Sequence, residues 1–118
     1  MSVTEGFQKT IERYHDLIRQ NPDDVGLLTN LAWSYERAGQ YQEAIQHFRR
    51  ASELNPQDYN VYYGLGLALM GHGQRQEALK AFLRARDLAH EGTDHSTMVI
   101  VAKQVESISH RLKTNKRR

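Results

Sequence analysis

Histidine is the residue best suited to acid–base or metal chemistry near neutral pH, and this sequence carries six: His15, His47, His72, His90, His95 and His110. They are scattered. Only His90 and His95 lie close together, five apart across a segment that reads as a loop, and no HExxH or similar ligand spacing occurs. Ordinary surface histidines account for them, and no metal is expected. Glu43 and Glu77 return in matching surroundings, but they return together with everything around them. A solvated first-turn position, where a carboxylate complements the helix dipole, explains them better than an acid–base pair. The run "GLGLALMGHG" (64–73) is rich in glycine but lacks GxxxxGK[ST], and no strand precedes it, so its glycines read as close-packing positions and a turn. Ser34, Ser52 and Ser96 have no nucleophile-elbow motif around them. There is no cysteine, which removes disulfides, thiolate metal sites and a cysteine nucleophile. The sequence therefore reads as non-enzymatic, with no cofactor.

The chain has 118 residues, a length suited to one domain. Its net charge of +2 is unevenly placed. Residues 111–118, "RLKTNKRR", hold five of the 16 basic residues and no acid, which leaves 11 basic against 14 acidic residues, about −3, elsewhere. A basic tail of this kind, read as flexible over 113–118, is the second candidate for function, through nucleic acid or an anionic surface. "MSVTEGFQKTIERYHDL" lacks a basic start followed by an apolar run and does not read as a signal peptide. No apolar run approaches the roughly 18 residues that span a bilayer. With cysteine absent as well, a cytoplasmic location is expected.

The elements that would position any functional group are written twice. "AGQYQEAIQHFRRASELNP" (38–56) returns 34 residues later as "HGQRQEALKAFLRARDLAH" (72–90), with Gly, Gln, Gln, Glu, Ala, Phe, Arg, Ala and Leu at the same offsets. Pro22 and Pro56, each after Asn, share that spacing and mark helix ends. Between them, Leu28, Leu31, Ala32 and Tyr35 form one helical face; Ala44, Ile45, Phe48, Ala51 and Leu54 form another. Gly39 separates the two segments, and Gly73 repeats that punctuation. Strand-like alternation is not sustained anywhere, so the chain reads as all-α.

Helix, tight turn, helix at a period of 34 resembles the tetratricopeptide repeat (TPR) family. Leu28, Leu31, Ala32, Tyr35, Ala44, Phe48, Ala51 and Pro56 match its pattern in one repeat; Tyr62, Leu65, Gly66, Leu69, Ala78, Phe82 and Ala85 match it in the next. Small residues at Ala32, Gly66, Ala44 and Ala78 allow close helix approach. The resemblance implies a right-handed superhelical array of antiparallel helix pairs, about six helices. The expected organisation is a single domain over 1–112: a half repeat over about 4–21, full repeats over 25–58 and 59–92, and a capping helix over about 94–112. In the half repeat, Phe7, Ile11, Tyr14, Leu17 and Ile18 make the inner face, with one poorly covered flank that a second copy could cover. Strict periodicity fails after His90. A two-residue insertion in the loop "HEGTD", with Gly92 and Asp94 as caps, restores an inward stripe of Met98, Val101, Ala102 and Val105, continued by Ile108 and Leu112.

In the family, the first helix of each pair lines a concave face. The matching positions here are Gly26, Thr29, Asn30, Trp33, Glu36 and Arg37, then Asn60, Tyr63, Gly64, Leu67, Met70 and Gly71. In the last helix they include Ser96, Val99, Ile100, Lys103 and Ser107. Those expected to bind are Thr29, Asn30, Trp33, Arg37, Asn60, Tyr63, Leu67, Val99, Ile100 and Lys103, an apolar floor with a few polar groups. The resemblance implies a scaffold that holds a peptide or partner helix. Family members that bind chaperone tails resemble one another in a Lys, Asn and Arg clamp on a terminal carboxylate. Asn30 matches its Asn, but Ser96 and Ile100 stand at the Lys and Arg positions, so binding of that kind is not implied.

Overall fold

The structure is a computed structural model that describes residues 3–91 and 95–116, with side-chain surroundings over 6–89 and 99–112. Six helices are described: α1 (Val3–Gln20), α2 (Val25–Arg37), α3 (Tyr41–Leu54), α4 (Tyr59–Gly71), α5 (Arg75–Glu91) and α6 (His95–Lys116). Each packs chiefly on its neighbours in sequence, and α2 also reaches α4. That is the contact pattern of a stacked repeat array, with no single centre to its core.

The two copies begin and end their helices by the same local chemistry. Asp24 accepts a hydrogen bond from the Leu27 amide at 3.1 Å, and Asp58 from the Asn60 amide at 3.0 Å, which caps α2 and α4. At the far ends, Gly39 (φ 77°) and Gly73 (φ 84°) turn the chain through the left-handed region. The Gln40 and Gln74 amides then donate to the Tyr35 and Leu69 carbonyls, each at 2.9 Å, closing both helices with a Schellman motif.

Packing follows the small residues. Ala32, Ala44, Ala51, Ala78 and Ala85 are fully buried, as are the Phe48 and Phe82 rings. The glycines of "GLGLALMGHG" are what lets those rings approach. A Cβ at Gly64 would overlap the Phe48 ring, one at Gly66 would lie 2.6 Å from Phe82 Cε1, and one at Gly71 would overlap the Tyr41 ring. Two phenylalanine rings thus press against the backbone of α4, Phe48 at Gly64 and Phe82 at Gly66.

The outer helices follow expectation in part. In α1, Ile11 is buried and Phe7, Tyr14 and Ile18 are half-buried, but Leu17 is 37% exposed. It sits on the flank of α1 away from α2, where none of the other described helices packs closely. In α6, Val101 and Ile108 are buried and Val105 and Leu112 pack against the core, while Val99 and Ile100 face outward. That is the stripe the inserted loop residues restore. Ala102 is exposed, because the described α6 packs chiefly on α5 and no described helix covers that side. Gly92, Asp94 and the Met98 side chain lie outside the described residues. The α6 backbone stays helical to Lys116, past the boundary at 112 read from the sequence.

A polar joint adds to the docking of α1. His15 Nε2 and the Tyr35 hydroxyl are hydrogen-bonded at 2.7 Å, and the His47 ring stacks on Tyr35 with centroids 5.4 Å apart. The His15 and His47 rings meet edge-on at 5.9 Å. Burial, then the charges of His47 and Arg19, hold the His15 imidazole below its ordinary value, with Asp16 opposing. Burial and the nearby Glu43 carboxylate push the Tyr35 phenol up, which keeps it a neutral hydroxyl.

Three outcomes test this architecture. Ala44→Leu and Ala78→Leu should each cost roughly 1–3 kcal/mol of stability by overpacking, read as a lower melting temperature. Val101→Asp should unfold the α5–α6 end in thermal melts, because it buries an unpaired charge, whereas Val99→Asp should melt close to wild type. The third is pH dependence. A histidine whose folded pKa is depressed contributes stability in full above about pH 6.5, and that contribution is lost as pH falls toward the folded value. The melting temperature should therefore drop between about pH 7.5 and 5.5, and His15→Gln should flatten part of that drop. Parallel curves for the two proteins would remove His15 from the explanation.

Candidate partner-binding groove

α2 presents Asn30, Trp33 and Arg37, spaced by three and four, on one face. α4 presents Asn60, Tyr63 and Leu67 at the same spacing, and α6 presents Ile100 and Lys103. The rows meet in two adjoining depressions. The larger, about 420 Å³, is walled by Thr10 and Tyr14 of α1, by Asn30, Trp33 and Arg37 of α2, and by Asn60 of α4. A smaller one of about 140 Å³ lies between Tyr59, Asn60 and Tyr63 of α4 and Ile100 of α6. Asn60 stands on the rim of both, so together they form one track across α2, α4 and α6.

Side chains along this track divide into two kinds. Asn30, Arg37, Asn60 and Lys103 are exposed, and no side-chain hydrogen bond or ion pair to a described residue occupies them. Ile100, on the smaller depression, is 50% exposed; Val99, 55% exposed, and Lys103 line neither depression. Trp33 and Tyr63 are half-buried. The Trp33 ring stands edge-on against Phe48 at 5.2 Å and tilts toward Tyr63 at 6.4 Å, and Tyr63 meets Phe82 at 5.7 Å. The chain of rings Phe48–Trp33–Tyr63–Phe82 thus finishes the core on one side and floors the groove on the other. Next to it, burial pushes the Glu36 carboxyl above its ordinary range, opposed by the Arg37 guanidinium.

Two expected groove positions are not available. Thr29 is 8% exposed and its hydroxyl donates to the Val25 carbonyl at 2.7 Å, so the helix backbone uses the group that would have faced a ligand. Gly64 is buried beneath the Phe48 and Trp33 rings. Leu67 is partly buried against the core. The Ser96 side chain lies outside the described residues. Conversely, Thr10, Tyr14 and Tyr59 border the groove without having been expected there. Tyr14 shares α1's inner face with Ile11, and that face runs out onto the concave side at its edge, a signal present in the spacing. Among the described residues no group of His, Asp and Glu is placed to hold a metal ion, and no helix is long and apolar enough to cross a membrane.

Comparison with known proteins agrees with the fold. The sequence matches a "TPR repeat" family profile over residues 34–73 and a "Tetratricopeptide repeat" profile over 13–46, which together reach from 13 to 73, over half of the 118 residues. No curated protein matches it significantly by sequence. Among solved structures it is similar to the TPR2B domain of yeast Sti1, determined as a complex with pHsp70, with TM-score 0.83 and 20% identity over 91% of this chain and 86% of that one. It is similar to the Sgt2 TPR domain of Aspergillus fumigatus, with TM-score 0.83 and 21% identity over 97% and 73%. PcrH, determined in complex with the chaperone binding region of PopD, superposes with TM-score 0.85 at 15% identity over 91% and 81%. At these identities the likeness speaks to fold. The helix pair that this chain writes twice is the tetratricopeptide unit, and the chain belongs to the tetratricopeptide repeat family.

Proposed function

We propose that the chain is a non-enzymatic protein-interaction module that holds an extended peptide or a partner helix along its concave track. The observation that carries this reading is the pairing of bare aliphatic surface at Ile100 with unoccupied amides at Asn30 and Asn60 along two depressions that meet at Asn60. The amides suit a peptide backbone, which offers a donor and an acceptor at nearly every residue. Tyr63 and Ile100 suit an apolar side chain seated between them. A groove formed by packed helices is largely preformed, so little ordering entropy opposes binding. TPR structures determined with pHsp70 and with a region of PopD support a protein or peptide as the class of ligand. A terminal carboxylate is not the ligand this reading favours, because Ser96 and Ile100 stand where carboxylate-gripping members carry Lys and Arg. Arg37 and Lys103 favour acidic flanks on the bound segment instead.

Because Trp33 and Tyr63 also support Phe48 and Phe82, truncating them would lower stability and blur any binding result. The exposed residues give the clean experiment. Peptides selected from a displayed random library on the wild-type protein should quench or shift Trp33 fluorescence on binding. Ile100→Asp combined with Asn60→Ala should melt within about 0.5 kcal/mol of wild type, as surface substitutions do. The same pair should weaken the selected peptides by about 2 kcal/mol or more. Selected peptides that bind the double variant as tightly as wild type would place the site off this groove.

A further inference from the structure

The opposite face carries a second feature that the groove does not use. α3 and α5 both pack on α4, with little direct contact between them, so a strip of α4 stays visible on the convex side. There a slot of about 220 Å³ opens, its floor made by Tyr62, Leu65, Leu69 and Ala81. Its rim carries three cations, Arg49 from α3 and Lys80 and Arg84 from α5. The one acid beside it, Glu77, is drawn to Lys80 at 3.4 Å.

Comparison of the two repeats shows why this rim is left positive. Arg50 and Arg84 are equivalent positions, 34 residues apart. Arg50 is neutralised by Asp23 at 2.9 Å and by Glu53 at 3.6 Å. The residue equivalent to Asp23 is Gln57, and Asp87, equivalent to Glu53, pairs with Arg86 at 3.5 Å. Arg84 has no ion pair among the described residues and lies over the Tyr62 ring, 5.8 Å from its centroid. Arg49 likewise has none. Two guanidiniums without acidic partners thus flank an apolar slot on a body whose net charge outside the 111–118 tail is about −3.

We propose that this convex slot is a second docking surface, for an acidic segment of a protein partner that seats one apolar side chain between its carboxylates. The guanidinium forks match carboxylates in bidentate geometry, and Tyr62 is already a platform on which Arg84 is held. The apolar floor selects a peptide over nucleic acid, whose phosphates would use the cations and leave the slot empty. The surface is independent of the concave groove, since it shares no residue with it.

Amide chemical-shift titration of the full chain tests this with three probes: the blocked peptide Glu-Asp-Leu-Asp-Glu, the same peptide with Ser for Leu, and a hexathymidylate. The first should shift amides at 49, 62, 65, 69, 77, 80, 81 and 84, and Arg49→Glu with Arg84→Glu should weaken those shifts roughly tenfold or more. The Leu-to-Ser peptide should shift these amides several-fold more weakly, and Ile100→Asp should leave the shifts at these convex positions unchanged. Arg49→Gln with Arg84→Gln, which adds no like-charge or acidic cluster, serves if the charge reversal disturbs folding. Equal binding of both peptides, equal or tighter binding of the oligonucleotide, shifts confined to the concave face, or indifference to both pairs of arginine variants would each overturn the proposal.

Discussion

The close approach of two phenylalanine rings to the bare backbone of α4 is the constraint on which the rest depends. Phe48 comes from the preceding pair and Phe82 from α4's own, and both are fully buried. Gly64 and Gly66 leave the surface they need, since a methyl group at either place would drive a ring outward. α4 is therefore the element through which the two repeats become one body. The spacing of α2, α4 and α6 on the concave side follows from it, because each pair is stacked on the next at the distance those rings allow.

That constraint also explains why recognition and stability overlap here. Of the rings on the concave face, Trp33 leans on Phe48 and Tyr63 on Phe82. A ligand lying on them would touch the outer surface of the core itself. Both rings are held by the core beneath them and cannot be exchanged freely without disturbing its packing. On the proposed reading, specificity would fall to the exposed residues around them, above all Asn30, Asn60, Ile100 and Lys103.

How far this was legible beforehand depended on how locally each feature is encoded. The helix pairs, both glycine turns and the buried faces of α2 to α5 follow from a period of 34 with small residues at fixed offsets, except that Leu54, expected on the inner face of α3, is 36% exposed at the last residue of that helix; the inserted register of α6 followed from its apolar stripe. Leu17 and Ala102 were misplaced for one reason: a repeat pattern assigns an inward face, but burial also needs a neighbour, and on those sides the described structure has none. Thr29 was misplaced because spacing shows where a Cβ points and not what its hydroxyl bonds to. Gly64 carried no side chain for a pattern to read, and the ring that covers it belongs to another helix. The wall that α1 lends to the groove is likewise a tertiary fact, since it depends on how α1 lies across α2.

That wall has a thermodynamic consequence. A helix held mainly by one neighbour opens locally at lower cost than one packed between two. Among the described helices α1 packs chiefly on α2, and it also contributes Thr10 and Tyr14 to the larger depression. A ligand that touches Tyr14 binds only the closed form, so it must raise the protection of α1 by as much as opening of α1 weakens the ligand. Affinity on the concave face and fraying of the first helix are therefore a single linked equilibrium, and any condition that loosens the His15–Tyr35 joint acts on binding without touching the ligand.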